Sequence, residues 1–116
     1  MSTVEMILSL LAKQRLSLEN EKDLQRQMME VLSPTVTIAR EVRLDAKSTI
    51  DFRTADGVGI EVKLDGSPKA IYRQLERYLQ FDEIKSLILV TNRSMGLPPT
   101  ANDKDLFYLN LGRAWL

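Results

Sequence analysis

The stretch Thr49-Ile-Asp-Phe-Arg-Thr-Ala-Asp-Gly-Val-Gly-Ile-Glu-Val-Lys63 is the part of the chain that decides the fold. Residues 49–54 and 58–63 have the composition of β-strands, and the Ala-Asp-Gly between them is typical of a turn in which glycine allows a positive φ. The stretch therefore predicts a hairpin of two antiparallel strands. Charged residues lie inside both strands, where apolar side chains are usual: Asp51, Glu61 and Lys63.

The residues before the hairpin predict one more strand and two helices. Residues 36–44 alternate between apolar and polar side chains, and the turn Asp45-Ala-Lys-Ser48 joins them to the hairpin in an antiparallel meander. A helix is predicted over residues 17–32, because its apolar stripe ends at a Ser-Pro pair. The capping-box pattern Ser2-Thr-Val-Glu5 opens an N-terminal helix, which we expect to be an appendage of residues 1–16.

The residues after the hairpin predict a helix and two strands. Ser67-Pro68 suits the N-cap and first turn of a helix that runs to about Phe81. The continuous apolar run of residues 86–91 is typical of a strand covered on both faces, and residues 98–104 have the composition of a loop. The last strand is predicted over residues 106–111.

The predicted order of elements is α-α-β-β-β-α-β-β. We expect an α/β fold with a mixed (α+β) sheet flanked by helices. The 116 residues are the size of one domain, in which residues 17–116 form the core.

The composition limits the chemistry that the chain can perform. With 44% hydrophobic and 28% charged residues it is an ordinary globular sequence, and its formal net charge is zero. That charge argues against a histone-like nucleic-acid binder but not against a local basic patch. The chain has no cysteine and no histidine, which excludes disulfides, thiolate zinc sites and histidine bases. The apolar run Met6–Ala12 is too short to cross a membrane, and we expect a cytoplasmic location.

The three charged residues of the hairpin suit a metal-dependent hydrolase. Asp51 and Glu61 lie on neighbouring strands, and Glu61 and Lys63 face the same side because they are two residues apart. Two carboxylates suit Mg²⁺ or Mn²⁺, with the main-chain carbonyl of Val62 as a further ligand, and a lysine can orient an attacking water. Phosphodiester hydrolysis requires this combination. The alternative is a solvent-facing aspartate beside a Glu/Lys pair.

Four segments of the chain match, in register, the motifs of a known superfamily. They are Thr49-Ile-Asp-Phe52, Ile60-Glu-Val-Lys63, Gln74-Leu-Glu-Arg-Tyr78 and Glu21 on the first core helix. In these segments the chain resembles the PD-(D/E)xK nucleases, which include restriction endonucleases, RecB-like exonucleases and Holliday-junction resolvases. The third segment resembles the QxxxY motif of the RecB-like members, and isoleucine replaces the nominal proline of the first. The resemblance implies a restriction-endonuclease-like core, α-β-β-β-α-β, with an extra N-terminal helix and a C-terminal strand.

The resemblance also implies an activity and roles for these residues. The activity is that of a Mg²⁺- or Mn²⁺-dependent deoxyribonuclease, and the small size of the chain favours branched or structured DNA as its substrate. Asp51, Glu61 and Glu21 would hold the metal, and Lys63 would polarise the water. Gln74 and Tyr78 would position the water or a phosphate oxygen. The alternatives are a half-buried tyrosine beside an amide that bonds a neighbouring polar group, and for Glu21 a first-turn carboxylate favoured by the helix dipole.

Basic residues predict where DNA would lie. Arg73 and Arg77 are four apart on one helix and can meet backbone phosphates, although Glu76 beside them also suits a solvated face. Further candidate contacts are Lys69, Lys47, Arg53 and Arg93.

Size and apolar segments favour a homodimer, formed through the N-terminal helix or through Trp115-Leu116. The acidic pairs Asp82-Glu83 and Asp103/Asp105 are expected to be solvated, because no lysine-bearing strand accompanies them.

Two other functions remain open. One is a catalytically inactive nuclease fold that binds protein or DNA, against which the three retained charges of the hairpin argue. The other is a structural or phage-type interaction protein whose match to the motifs is fortuitous, for which the zero net charge is the best support.

Overall fold

The computed structural model describes residues 1–112, in which three helices and six strands form. The expected Trp115-Leu116 contact lies outside this range. None of the helices in residues 1–112 is long and apolar enough to span a membrane. The elements in chain order are α1 (Thr3–Ala12), α2 (Glu21–Leu32), β1 (Ile38–Arg43), β2 (Thr49–Thr54), β3 (Val58–Lys63), α3 (Pro68–Tyr78), β4 (Ser86–Thr91), β5 (Thr100–Ala101) and β6 (Lys104–Asn110).

The strands form one mixed sheet in the order β1-β2-β3-β4-β6-β5. Neighbours β1, β2 and β3 are antiparallel, whereas β3, β4 and β6 run parallel. The predicted α/β class with a mixed sheet is therefore confirmed, as is the antiparallel meander. The short β5 was expected as loop, because two residues are too few to show periodicity. Asn102 and Asp103, with φ of 52° and 61°, form the tight turn that joins β5 to β6.

Local side-chain hydrogen bonds define the helix starts. Ser67 caps α3 by accepting from the Ala70 main-chain N–H, as predicted, and Ser2 and Glu5 form the predicted capping box of α1. The prediction for α2 was four residues too long at its start. Its N-cap is Asn20, whose side chain accepts from the Asp23 N–H at 2.8 Å.

Helices cover both faces of the sheet. Helices α1 and α2 pack on one face, which we call the α2 face, and α3 packs on the other, the α3 face. Residues 1–16 are not peripheral to this core, because Ile7 and Leu11 are fully buried in the same cluster as the apolar residues of α2. Within the described range, Met1 is the one large apolar side chain that is exposed. Val4, Met6, Leu8 and Leu10 of α1 are only half-buried, and a dimer contact through this helix stays a prediction.

Strands β1 and β2 change faces half-way along their length. Ile38 and Phe52 pack on the α2 face, whereas Val42 and Ile50 pack on the α3 face. In a regular strand Ile38 and Val42 would lie on the same side of the sheet, because they are four residues apart. Ile50 and Phe52, two residues apart, would also share a side. The change occurs at Glu41, whose φ of 54° interrupts the strand opposite Asp51. Burial still alternates along β1, as predicted for residues 36–44, but the less exposed side chains before and after Glu41 pack on opposite faces of the sheet.

Candidate active site

Asp51 and Glu61 lie where the β2–β3 ladder stops. The Cα partners of these strands are Phe52↔Ile60 and Arg53↔Gly59, towards the hairpin turn. Towards the open end, side chains replace the main-chain ladder. The Val62 N–H donates to Asp51 Oδ2 at 2.8 Å, and the Asp51 N–H donates to Glu61 Oε1 at 3.1 Å. Each carboxylate therefore bonds the main chain of the opposite strand and helps to join the two.

Burial gives these two carboxylates unusual electrostatics. Glu61 is only 3% exposed, and burial followed by the charge of Asp51 raises the pKa of Glu61 to about 8. Burial also raises the pKa of Asp51, against the Val62 N–H bond that lowers it. Lys63 is the nearby cation, with Nζ 3.7 Å from Glu61 Oε2. A positive charge bound beside these two acids would therefore stabilise their ionised forms.

Helix α3 holds Glu61 from the side. The Tyr78 hydroxyl donates to the Thr49 carbonyl at 2.9 Å and lies 3.3 Å from Glu61 Oε2, and Gln74 Nε2 donates to that hydroxyl at 2.8 Å. Tyr78 is 1% exposed, and burial raises its pKa above the usual range for a tyrosine. The predicted contact of Gln74 and Tyr78 with a water or a phosphate stays a prediction. In this structure the two side chains bond each other, and the Tyr78 hydroxyl reaches Glu61. They position Glu61 and tie α3 to the start of β2.

Glu21 lies at the same end of the sheet. It is the first residue of α2, and its Oε2 accepts from the Leu64 N–H just beyond β3 at 2.9 Å. Its charge adds to the rise in the pKa of Asp51, which places the two carboxylates within electrostatic reach. Glu21 thus fixes the chain where β3 ends, a role that a helix-dipole explanation alone does not include.

The site contains fewer close acidic residues than a full protein cage for a metal. Across residues 1–112, no group of three or more His, Cys, Asp or Glu side chains is close enough to hold an ion. The predicted role of Glu21 as a metal ligand stays a prediction. The side chain of Val62 is fully buried on the α2 face, as the strand spacing predicts, and its carbonyl remains a predicted ligand.

Some of the predicted DNA contacts have exposed side chains, and others are bonded within the protein. Arg73, Arg77, Lys69 and Lys47 are exposed. Arg53 instead pairs with Glu83 at 3.0 Å, and this pair also shows that Glu83 is not simply solvated.

Arg93 is also bonded within the protein, because it donates to the Gly66 carbonyl.

The sequence predicts Thr91 only as the end of an apolar strand. The structure places it beside Lys63, because β3 and β4 pair in parallel register. A polar residue that closes a run of buried apolar ones is the signal that could have identified it.

Comparison of the chain with protein-family models, with curated proteins and with solved structures found no match.

Proposed function

We propose that this protein is a Mg²⁺- or Mn²⁺-dependent nuclease of the PD-(D/E)xK type that hydrolyses phosphodiester bonds in DNA. One observation carries the proposal. Asp51 and Glu61 lie side by side at the split between β2 and β3, both with raised pKa values, and Lys63 Nζ is 3.7 Å from Glu61. Neighbouring acids with raised pKa values beside a lysine are typical of functional sites.

The donor set fits a hard cation that keeps most of its water. Each carboxylate has two oxygens and spare lone pairs beyond the one main-chain N–H that it accepts. Because the described residues offer two close carboxylates rather than three, water and substrate oxygens must complete the coordination, as Mg²⁺ prefers. A divalent cation would also offset the burial and the charge of Asp51 that together raise the pKa of Glu61.

The proposed chemistry assigns a separate role to each side chain. When bound, the cation lowers the pKa of a coordinated water and neutralises charge on the phosphodiester. Asp51 and Glu61 would hold it between the two strands. Lys63 would orient the attacking water and stabilise the developing negative charge on the phosphate. Tyr78 and Gln74 would keep Glu61 in place through the bonds described above.

Exposed basic residues provide a surface for the DNA backbone. Lys47 follows β1 in the turn that leads into β2, and Lys69, Arg73 and Arg77 lie along α3. The Lys47 N–H lowers the pKa of Asp45 in that turn, and the charge of Arg77 adds to this effect. We propose that these residues contact phosphates and that a homodimer acts on branched or structured DNA.

A binding module without catalysis is the second candidate. The observation that favours it is that Asp51 and Glu61 each accept a main-chain N–H, which is also what carboxylates with a purely structural role would do. In that function the acids would fasten β2 to β3, and the exposed basic residues would still bind DNA or an acidic protein. Cation binding distinguishes the two candidates, because a structural pair needs none.

Cleavage of defined DNA substrates tests the proposal. Linear, nicked and four-way-junction DNA would be incubated with Mg²⁺ or Mn²⁺ and the wild-type chain, Lys63→Ala or Lys13→Ala. Lys13 is an exposed lysine just after α1 and serves as the matched control. We expect cleavage by the wild type and by Lys13→Ala. Loss of Lys63 is expected to reduce the rate by about 100-fold or more, the effect of removing one transition-state contact.

Two results would contradict the nuclease. One is equal cleavage by the wild type and Lys63→Ala, which indicates a contaminating activity. The other is no cleavage of any substrate with either cation. Retained DNA binding in that second case would favour the binding module.

A further inference from the structure

Three polar residues form a row next to the candidate site. Lys63 pairs in register with Thr91 of β4, and Thr91 pairs in register with Asn110 of β6. Glu61 contacts Tyr78 of α3, so Lys63, two residues on, also faces α3. Leu87 and Leu89 pack against α3, which places Thr91 on that same face. The Thr91 side chain therefore lies directly beside that of Lys63, one strand spacing away, roughly 4.8 Å.

The Thr91 hydroxyl is buried without a hydrogen-bond partner. Thr91 is 0% exposed, and among the described residues none bonds its Oγ1. Thr54 is the other buried threonine, and it shows the usual arrangement. Its hydroxyl donates to Asp56 at 2.5 Å and accepts from the Val58 N–H at 2.9 Å. A buried hydroxyl without a partner destabilises a fold, so its retention beside Lys63 calls for an explanation.

The position of Lys63 supplies one. In this structure its ammonium lies 3.7 Å from Glu61 Oε2, beyond the length of a direct hydrogen bond. A cation held by Asp51 and Glu61 would repel that ammonium and cancel its attraction to the Glu61 carboxylate. The ammonium then needs another acceptor. Thr91 offers the nearer hydroxyl, because Asn110 lies one strand further from Lys63 and its Oδ1 already accepts from the Gly112 N–H.

We propose that Thr91 is a positioning residue for Lys63, whose ammonium its hydroxyl accepts once a divalent cation occupies Asp51 and Glu61. The inference rests on the proposed nuclease function. Thr91 would touch neither the cation nor DNA. Its effect would be to hold Lys63 beside the reacting phosphate instead of leaving the ammonium to swing into solvent, and so to favour the transition state rather than binding.

The test removes the Thr91 hydroxyl and keeps the shape of the side chain. Thr91→Val removes it, Thr91→Ser keeps it, and Thr54→Val is the matched control at a partnered threonine. We expect Thr91→Val to lower kcat on DNA by about tenfold with KM unchanged, the effect of one lost hydrogen bond. Thr91→Ser should restore kcat. The thermal midpoint should stay level or rise in Thr91→Val and fall in Thr54→Val.

A second measurement does not depend on cleavage. The order parameter of the Lys63 ammonium would be measured by ¹⁵N NMR with and without Mg²⁺, in the absence of DNA. The wild type should keep the ammonium ordered after Mg²⁺ is added. In Thr91→Val the order should fall on addition of Mg²⁺. Thr91→Ala provides the same readouts if valine reduces the folded fraction.

The outcomes separate this inference from the function on which it rests. If Lys63→Ala abolishes cleavage while Thr91→Val keeps wild-type kcat and wild-type order of the ammonium, the role of Thr91 is overturned and the nuclease stands. If the wild type cleaves none of the DNA substrates with either cation, both are overturned. A fall in kcat that Thr91→Ser does not restore also rejects the role of the hydroxyl.

Discussion

The two ends of the β2–β3 hairpin shift the pKa values of their carboxyl groups in opposite directions. At the turn, Asp56 is exposed and accepts from the hydroxyls of Thr3 at 2.6 Å and Thr54 at 2.5 Å, and these bonds hold its pKa below the usual value. At the open end, burial raises the pKa of both Asp51 and Glu61. The same hairpin thus carries one acid that is stabilised as an anion and two that are not.

This difference separates an acid that supports the fold from acids that are available for chemistry. Two hydroxyl donors satisfy Asp56 at the turn, where it helps to join α1 to the hairpin through Thr3. Buried acids with raised pKa values destabilise the folded state when both are charged, and a chain retains them when something positive compensates. We expect a cation to affect the open end and to leave the turn unchanged.

The largest expected effect is stabilisation by a cation at the open end only. Mn²⁺ at about 100 times its dissociation constant should add roughly 2.7 kcal/mol to the free energy of unfolding. Asp51→Asn should abolish this gain, whereas Asp56→Asn should retain it. Thermal denaturation followed by circular dichroism, with and without Mn²⁺, measures the three proteins. An equal rise in the wild type and in Asp51→Asn would show that the metal binds elsewhere.

The second prediction concerns pH in the absence of metal. Since the folded pKa of Glu61 is about 8 against an ordinary 4.5, the native protein binds more protons than the unfolded chain between these values. The contribution of Glu61 to the free energy of unfolding is therefore largest below pH 4.5. It falls as pH rises towards 8, by at most about 1.4 kcal/mol per pH unit. Glu61→Gln should flatten the profile.

Urea denaturation at pH 5, 6.5 and 8 in the presence of a chelator measures this slope. The difference between the wild type and Glu61→Gln isolates the contribution of this one carboxyl group. Parallel profiles for the two proteins would mean that Glu61 is ionised normally in the folded state.

The third prediction concerns the hydroxyl that supports the open end. Tyr78→Phe removes the donor to the Thr49 carbonyl and the acceptor for Gln74, and should lower the free energy of unfolding by about 1–2 kcal/mol. Tyr72→Phe, on the same helix but partly exposed, is the control and should change little. Chemical denaturation measures both. No loss in Tyr78→Phe would indicate that water replaces the hydroxyl without cost.

The smallest expected effect lies at the turn. Asp56→Asn weakens its bonds with Thr3 and Thr54 and should lower the free energy of unfolding by about 0.5 kcal/mol at pH 7, because Asp56 is exposed and its charge is screened. The loss should shrink as pH falls below the ordinary pKa of aspartate. Asp82→Asn, another exposed aspartate, is the control. Urea denaturation at pH 7 and pH 3 compares them, and a larger loss at pH 3 would contradict the lowered pKa.

Local patterns predict the elements well where a side chain acts on its own segment. Ser67-Pro68 and the Ser2 capping box start helices as expected, because a cap involves residues only three apart. The start of α2 was misplaced although Asn20, three residues before Asp23, carries the same kind of signal. The face change at Glu41 has no local signal, since a positive φ in a non-glycine residue is maintained by the surrounding structure.

The sequence by itself determined the α/β class, the antiparallel meander and the placing of Asp51, Glu61 and Lys63 on adjoining strands, because strand periodicity and turn chemistry are local. Only the tertiary structure decided that β2 and β3 separate at Asp51, that α3 brings Tyr78 to Glu61, and that Thr91 lies beside Lys63. These features join residues distant in the chain, and their burial sets the pKa values. Burial belongs to the packed fold rather than to any one segment.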